Sequence, residues 1–147
     1  MSFSKKTRYG LISLIDLAVN SQNGPVSLGS IAKRNGISQQ FLEQIFAAFR
    51  SARLVRSVKG PQGGYQLAKS ADEVTVADVL QVLEGTYHLD NQVAQPNSEY
   101  VGIADTIQRL VIDKVNHELD EVLENLTISQ LVLYYSEHYD RQEMYYI

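Results

Sequence analysis

Between Pro25 and Phe49 the chain carries two short helical patterns separated by almost nothing, and that spacing leaves few folds open. Ser27 is an N-cap candidate, and Leu28, Ile31 and Ala32 mark one face of a helix that stops at Asn35-Gly36, a pair suited to a left-handed C-cap. After Ile37 alone, Ser38 can cap the next helix, whose inward stripe is Leu42, Ile45, Phe46 and Phe49. Helices this short need tertiary cover for their apolar faces. Two of them joined by a tight, glycine-containing turn form the helix-turn-helix arrangement.

The flanking sequence supplies that cover. Ser4 opens a helix in which Tyr9, Leu11, Ile12, Leu14, Ile15, Leu17, Ala18 and Val19 are apolar, with Lys5, Lys6 and Arg8 at its entrance. Leu54 to Val58 and Tyr65 to Ala68 alternate in period two around Gly60, Pro61, Gly63 and Gly64, which predicts a hairpin with a basic, glycine-rich tip: a wing. Thr75 and Asp78 form a capping box for a helix ending at Gly85, and Thr86 to Ser98 has no period and reads as a loop. From about Glu99 to Leu126, apolar residues recur every three or four positions, predicting a helix of roughly 40 Å that needs a partner for its stripe. Thr127 with Gln130 caps one further short helix through Leu131, Leu133 and Tyr134.

The expected fold is therefore mainly α with a small β-hairpin wing, a winged helix-turn-helix domain plus a long dimerisation helix. Residues 1–85 would form the winged domain, 86–98 a loop, and 99–147 the long helix, the short helix and a C-terminal tail.

Charge is sorted along the chain. Residues 1–69 hold ten Lys/Arg against Asp16 and Glu43, a net of +8, whereas residues 70–147 hold three against fifteen, a net of −12. A basic half suits a polyanion, and an acidic half keeps the remainder away from it. In a helix-turn-helix the second helix enters the major groove. Ser38, Gln39, Gln40 and Glu43 occupy its first exposed turns, and these residue types are fit for base reading: Gln pairs with adenine, Glu accepts from cytosine, Ser serves either. On an arbitrary helix such residues are simply a solvated face, and the surrounding basic charge is what favours readout. Lys5, Lys6, Arg8, Lys33, Arg34, Arg56 and Lys59 are candidate phosphate ligands, with Gly60 and Gln62 at the wing tip.

The sequence also narrows the chemistry. With no cysteine it offers no disulfide, thiolate zinc site or cysteine-ligated cluster. His88, His117 and His138 lie far apart without metal-ligand spacing, and no nucleophile-base pattern stands out. No metal site, no cofactor and no catalytic residues are expected. With no apolar run of 18 residues and no signal-like N-terminus, a soluble, cytoplasmic protein is expected.

Arg8-Tyr9-Gly10, Ile37-Ser38 before Phe41-Leu42-Glu43-Gln44, and Leu54-Val55 with Ser57 to Pro61 and Gly63-Gly64-Tyr65 resemble the Rrf-type winged-helix transcription regulators. The likeness is close over about residues 2–85. It implies a homodimer built on crossed long helices, each winged domain reading one half of a near-palindromic operator. By the same resemblance Ser38, Gln40 and Glu43 face bases, Lys59 reaches toward the minor groove, and Arg8 and Tyr9 lie near the backbone. Lys59 stands where the family commonly has Arg, which suits a narrow minor groove better. Cluster-binding members place three cysteines in the loop that here is 86–98 and has none. The chain is most similar to the cluster-free repressors of cysteine metabolism, implying control of cysteine, sulfur or stress genes. Their resemblance extends to the terminal Tyr145, Tyr146 and Ile147, a tail able to capture cysteine synthase through its carboxylate; the same tail can instead pack on its own dimer. The competing reading of the whole chain is a protein-interaction adaptor with a vestigial winged domain.

Overall fold

The computed structural model describes residues 3–91, 95 and 99–140. Helix α1 (Lys5–Asn20) begins at Ser4, whose hydroxyl accepts from the Thr7 N–H. A single 3-10 turn, Ser21–Asn23, leads toward α2 (Leu28–Asn35), capped by Ser27 and closed by Gly36 at φ +64°. Helix α3 (Gln39–Ser51) starts at Ser38, so the turn between α2 and α3 is as tight as the sequence predicts. Arg53, at φ +62°, then holds the left-handed position that turns the chain out of α3. Strands β1 (Val55–Val58) and β2 (Gly64–Leu67) pair antiparallel, Val55 opposite Leu67 and Val58 opposite Gly64. Helix α4 (Val76–Glu84) opens with the Thr75/Asp78 capping box.

One core holds these elements together. Leu14 and Leu17 of α1, Ile31 of α2, and Leu42, Ile45, Phe46 and Phe49 of α3 are fully buried, with Val79 of α4 packed among them. The wing is fastened to this core at its root. Tyr65 exchanges backbone hydrogen bonds with Val26 (2.9 and 2.8 Å), and its ring meets Phe46 edge-on at 5.0 Å.

The long helix departs from the sequence expectation. It comprises α5 (Val101–Ile107), a π-helical turn (Gln108–Ile112) and α6 (Asp113–Leu123), spanning about 35 Å rather than 40. A π turn inserts one residue into the ladder and so rotates the apolar stripe between the two halves. Periodicity at three and four residues tolerates such an insertion, so the sequence did not reveal it. Ile103, Ile107, Leu110, Val111, Val115 and Val122 along this helix are exposed.

Helix α7 (Ile128–Tyr135) has the Thr127/Gln130 capping box and leads into a second π turn, Ser136–Asp140. It returns to the N-terminal half. Thr127 bridges Thr75, Val76 N–H donates to the Leu126 carbonyl, Ile128 N–H donates to the Val74 carbonyl, and Ile128 is fully buried in the core of α1 to α4. The loop after α4 is pinned to α6 by Asn116, which accepts from the Leu89 N–H (2.7 Å) and donates to the Leu89 carbonyl (3.1 Å). Among the described residues, no helix is long and apolar enough to cross a membrane.

Candidate nucleic-acid interface

The first turns of α3 lie open. Ser38, Gln39, Gln40 and Glu43 are all exposed, while Leu42, Ile45 and Phe46 beneath them are fully buried, so the helix offers one wet edge on a rigid base. The four residues are not equivalent. The Ser38 oxygen is engaged as the cap of α3, accepting from the Phe41 N–H at 3.3 Å, which leaves its O–H to donate outward. Gln39 folds back against α2, its Oε1 3.4 Å from where a β-carbon on Gly29 would stand. Gln40 and Glu43 are thus the two least constrained acceptors and donors on this edge.

The α1 entrance is braced to the same helix. Tyr9 meets Phe41 edge-on at 5.6 Å, and the Lys5 ammonium sits 5.6 Å from the Tyr9 ring centre. Lys5, Tyr9, Gly36, Ile37, Ser38 and Phe41 together line a shallow cleft at the start of α3. A phosphate placed there would meet one cation and the positive end of a helix dipole. Glu84 secures this entrance from below: its Oε1 accepts from the Ser4 N–H (3.1 Å) and the Thr7 hydroxyl (2.5 Å), bonds that hold its carboxyl below the usual range.

The basic residues divide into free and committed. Among the described residues, none of the ion pairs uses Lys5, Lys6, Arg8, Lys33 or Lys59. Arg34 is committed: Nε and Nη2 grip Asp16 at 3.0 and 2.6 Å, Asn35 donates to the same carboxylate, and the bond to Asp16 raises the Arg34 pKa. Its first role is to clamp α2 onto α1. Arg56 reaches across the wing to Gln66 at 3.2 Å. At the tip, Lys59, Gly60 and Gln62 are exposed, and Gly60 takes φ +112°. The expected tail residues Tyr145, Tyr146 and Ile147 lie outside the described residues.

One network was invisible to sequence reasoning. Asp120 of α6 accepts from the Tyr87 hydroxyl (2.5 Å) and pairs with His88 Nε2 (2.6 Å), the Tyr87 bond first among the causes that hold its carboxyl below the ordinary range. Burial and the adjacent Asp120 push the Tyr87 phenol up. No local pattern links residues 32 and 33 positions apart.

Comparison with known proteins decides the family. Residues 3–133 match the family described as Rrf2, Iron-dependent Transcriptional regulator. The chain belongs to the Rrf2 family. It is 35% identical over 138 residues to the HTH-type transcriptional regulator CymR of Bacillus subtilis (strain 168), covering 91% of each chain. The solved structure of CymR, described as the global cysteine regulator of B. subtilis, superposes with a TM-score of 0.77 at 36% identity, over 91% of this chain and 98% of that one. The HTH-type regulator IscR of Pectobacterium carotovorum subsp. carotovorum (strain PC1) is 35% identical over 132 residues, 90% of this chain and 79% of that protein. A regulator of Azotobacter vinelandii is 48% identical over 83 residues, a match spanning about half (51%) of that protein.

The Rrf2 chain described here is thus a transcriptional regulator and not an enzyme, built as a winged helix. Its donor set does not fit the iron of the family description. The sequence has no cysteine, and no group of three His, Cys, Asp or Glu side chains able to hold a metal occurs among the described residues.

Proposed function

We propose that this Rrf2 chain is a cluster-free, homodimeric repressor that binds operator DNA sequence-specifically, with genes of cysteine, sulfur or stress metabolism as its targets. The observation that carries the reading is the juxtaposition of the open edge at Gln40 and Glu43 with Lys5, Lys6, Arg8 and Lys33 outside every ion pair among the described residues. Phosphate contacts set register and base-edge contacts set sequence, and both kinds of group stand on elements locked to one core. Residues 1–85 supply the reading surface, and the wing adds Lys59 and Gln62.

The homodimer is supported by the exposed stripe Ile103, Ile107, Leu110, Val111 and Val115. A run of apolar side chains of this length on one helix is costly in water and is relieved by a second copy. Two-fold pairing would set two α3 helices against successive major grooves, matching a near-palindromic operator. The tail Tyr145-Tyr146-Ile147 extends the reading to a partner: an aromatic-aromatic-Ile terminus has the chemistry of a ligand for the active site of cysteine synthase, and the related CymR bears the description of a global cysteine regulator.

The test is binding of the purified, metal-free protein to fragments upstream of its own and neighbouring genes, against random DNA and over a salt series. Selective binding as a dimer, with a log-log salt slope of about −0.9 per phosphate engaged, is the expected result. Equal affinity for operator and random DNA, unchanged by added cysteine synthase, would overturn it.

A further inference from the structure

We propose that the cavity framed by Phe3, α4, the loop that follows it and α6 is a binding site for a small molecule carrying an ammonium group on an apolar body. The cavity, open to solvent on its polar side, has a volume of about 380 Å³, within the range of small-molecule sites. Its apolar part comes from three directions: Phe3 before α1, Leu80 of α4, and Leu119 and Leu123 of α6. Leu80 is fully buried and Leu123 nearly so, so this wall is firm.

The polar rim is acidic. Glu84 and Asp90 line the cavity, and Asp120 lies 2.6 Å behind the lining residue His88. Asp78 and Glu124 lie close enough to Tyr87 to act on its phenol, and Lys6 acts on Glu84 from the α1 side. An anion entering here meets net repulsion, and an ammonium meets acceptors. Glu84 has room for one: its Oε1 takes both bonds from α1, and its Oε2 accepts none of the hydrogen bonds among the described residues. A carboxylate can accept about four hydrogen bonds, so an ammonium can be added without breaking the α1 contact.

The site does not rest on DNA binding, because occupancy is read on the protein alone. Calorimetric titration of the full chain with 2-phenylethylammonium, and in parallel with 3-phenylpropanoate, measures both the affinity and its charge preference. Saturable binding of the amine, with the carboxylate at least roughly tenfold weaker, is expected. Two variants locate it. Thr86→Trp places an indole at the mouth from an exposed lining position and should abolish binding. Asp90→Asn removes one charge and should weaken it several-fold, both variants keeping the wild-type melting profile. No saturation at about 10 mM amine, equal binding of the carboxylate, or undiminished binding to a folded Thr86→Trp would each overturn the assignment.

Discussion

Replacing Gly64 by alanine tests how the wing is held, and the structure sets the size of the effect. Gly64 has φ +157°, and a β-carbon there would stand 2.5 Å from both the carbonyl carbon and oxygen of Val26, and 2.9 Å from the Ser27 nitrogen. All three are backbone atoms at the root of α2, so no side-chain rotation relieves the clash. The strand must move off, and with it go the two Val26–Tyr65 hydrogen bonds and the Tyr65–Phe46 ring contact. At about 1 kcal/mol per hydrogen bond, about 1 for the aromatic pair and about 1 for backbone strain, the cost is roughly 3 to 5 kcal/mol. For a chain of this size that lowers the melting temperature by roughly 8 to 15 °C. Gly60→Ala is the control: its φ of +112° is also unfavourable for a side chain, but nothing lies within 4 Å, so only the strain of about 1 to 3 kcal/mol applies. Denaturant unfolding of both variants measures the difference. Gly64→Ala no less stable than Gly60→Ala would refute a wing anchored through Val26.

Gln40→Ala and Glu43→Ala should each relax preference at one operator position by about 1 to 3 kcal/mol, measured by competition among single-base operator variants. Lys5→Ala or Lys6→Ala should weaken all sequences alike and reduce the salt slope by about 0.9; loss of discrimination in these variants contradicts the division of labour. Val111→Asp or Val115→Asp should shift the protein from dimer to monomer in sedimentation while its helical content persists, and an unchanged dimer argues against that stripe as the interface. Because Glu84 and Asp120 have depressed folded-state pKa values, their stabilisation is present above the ordinary carboxylate range, near pH 4, and is lost as pH falls through the lower folded values. Denaturant midpoints between about pH 2 and 6 should therefore fall less steeply in a Glu84→Gln, Asp120→Asn double variant; parallel curves would show that the two contacts add nothing.

How much of this was legible depended on how local the chemistry is. Ser4, Ser27, Ser38, Thr75 and Thr127 are the caps that the sequence marks, because an N-cap bonds only two or three residues onward. Gly36 was equally plain, whereas Arg53 takes a left-handed φ with no residue-type signal. The π turn at Gln108–Ile112 escaped because an apolar pattern of threes and fours continues across one inserted residue. The candidate interface was legible as a set of residue types and not as a division of roles: the sequence groups Arg34 with Lys33, and only the fold sets Asp16 against it. Contacts made over long sequence separations, Thr7 with Glu84 or His88 with Asp120, leave no periodic trace at all.

The return of α7 bears on the order in which the chain acquires shape during synthesis. Ile128 completes a core whose other members lie between Leu14 and Leu83, and the backbone of Leu126 to Ser129 closes onto Ala71 to Val76. The segments of the candidate interface emerge first, and some fifty further residues, roughly 3 to 10 seconds at ordinary elongation rates, follow before Ile128 can join them. A nascent chain halted anywhere before Ile128 is left with an open apolar seam between α1 and α4. Truncation before Ile128 should therefore destabilise the N-terminal half even though every residue of α1 to α4 is still present.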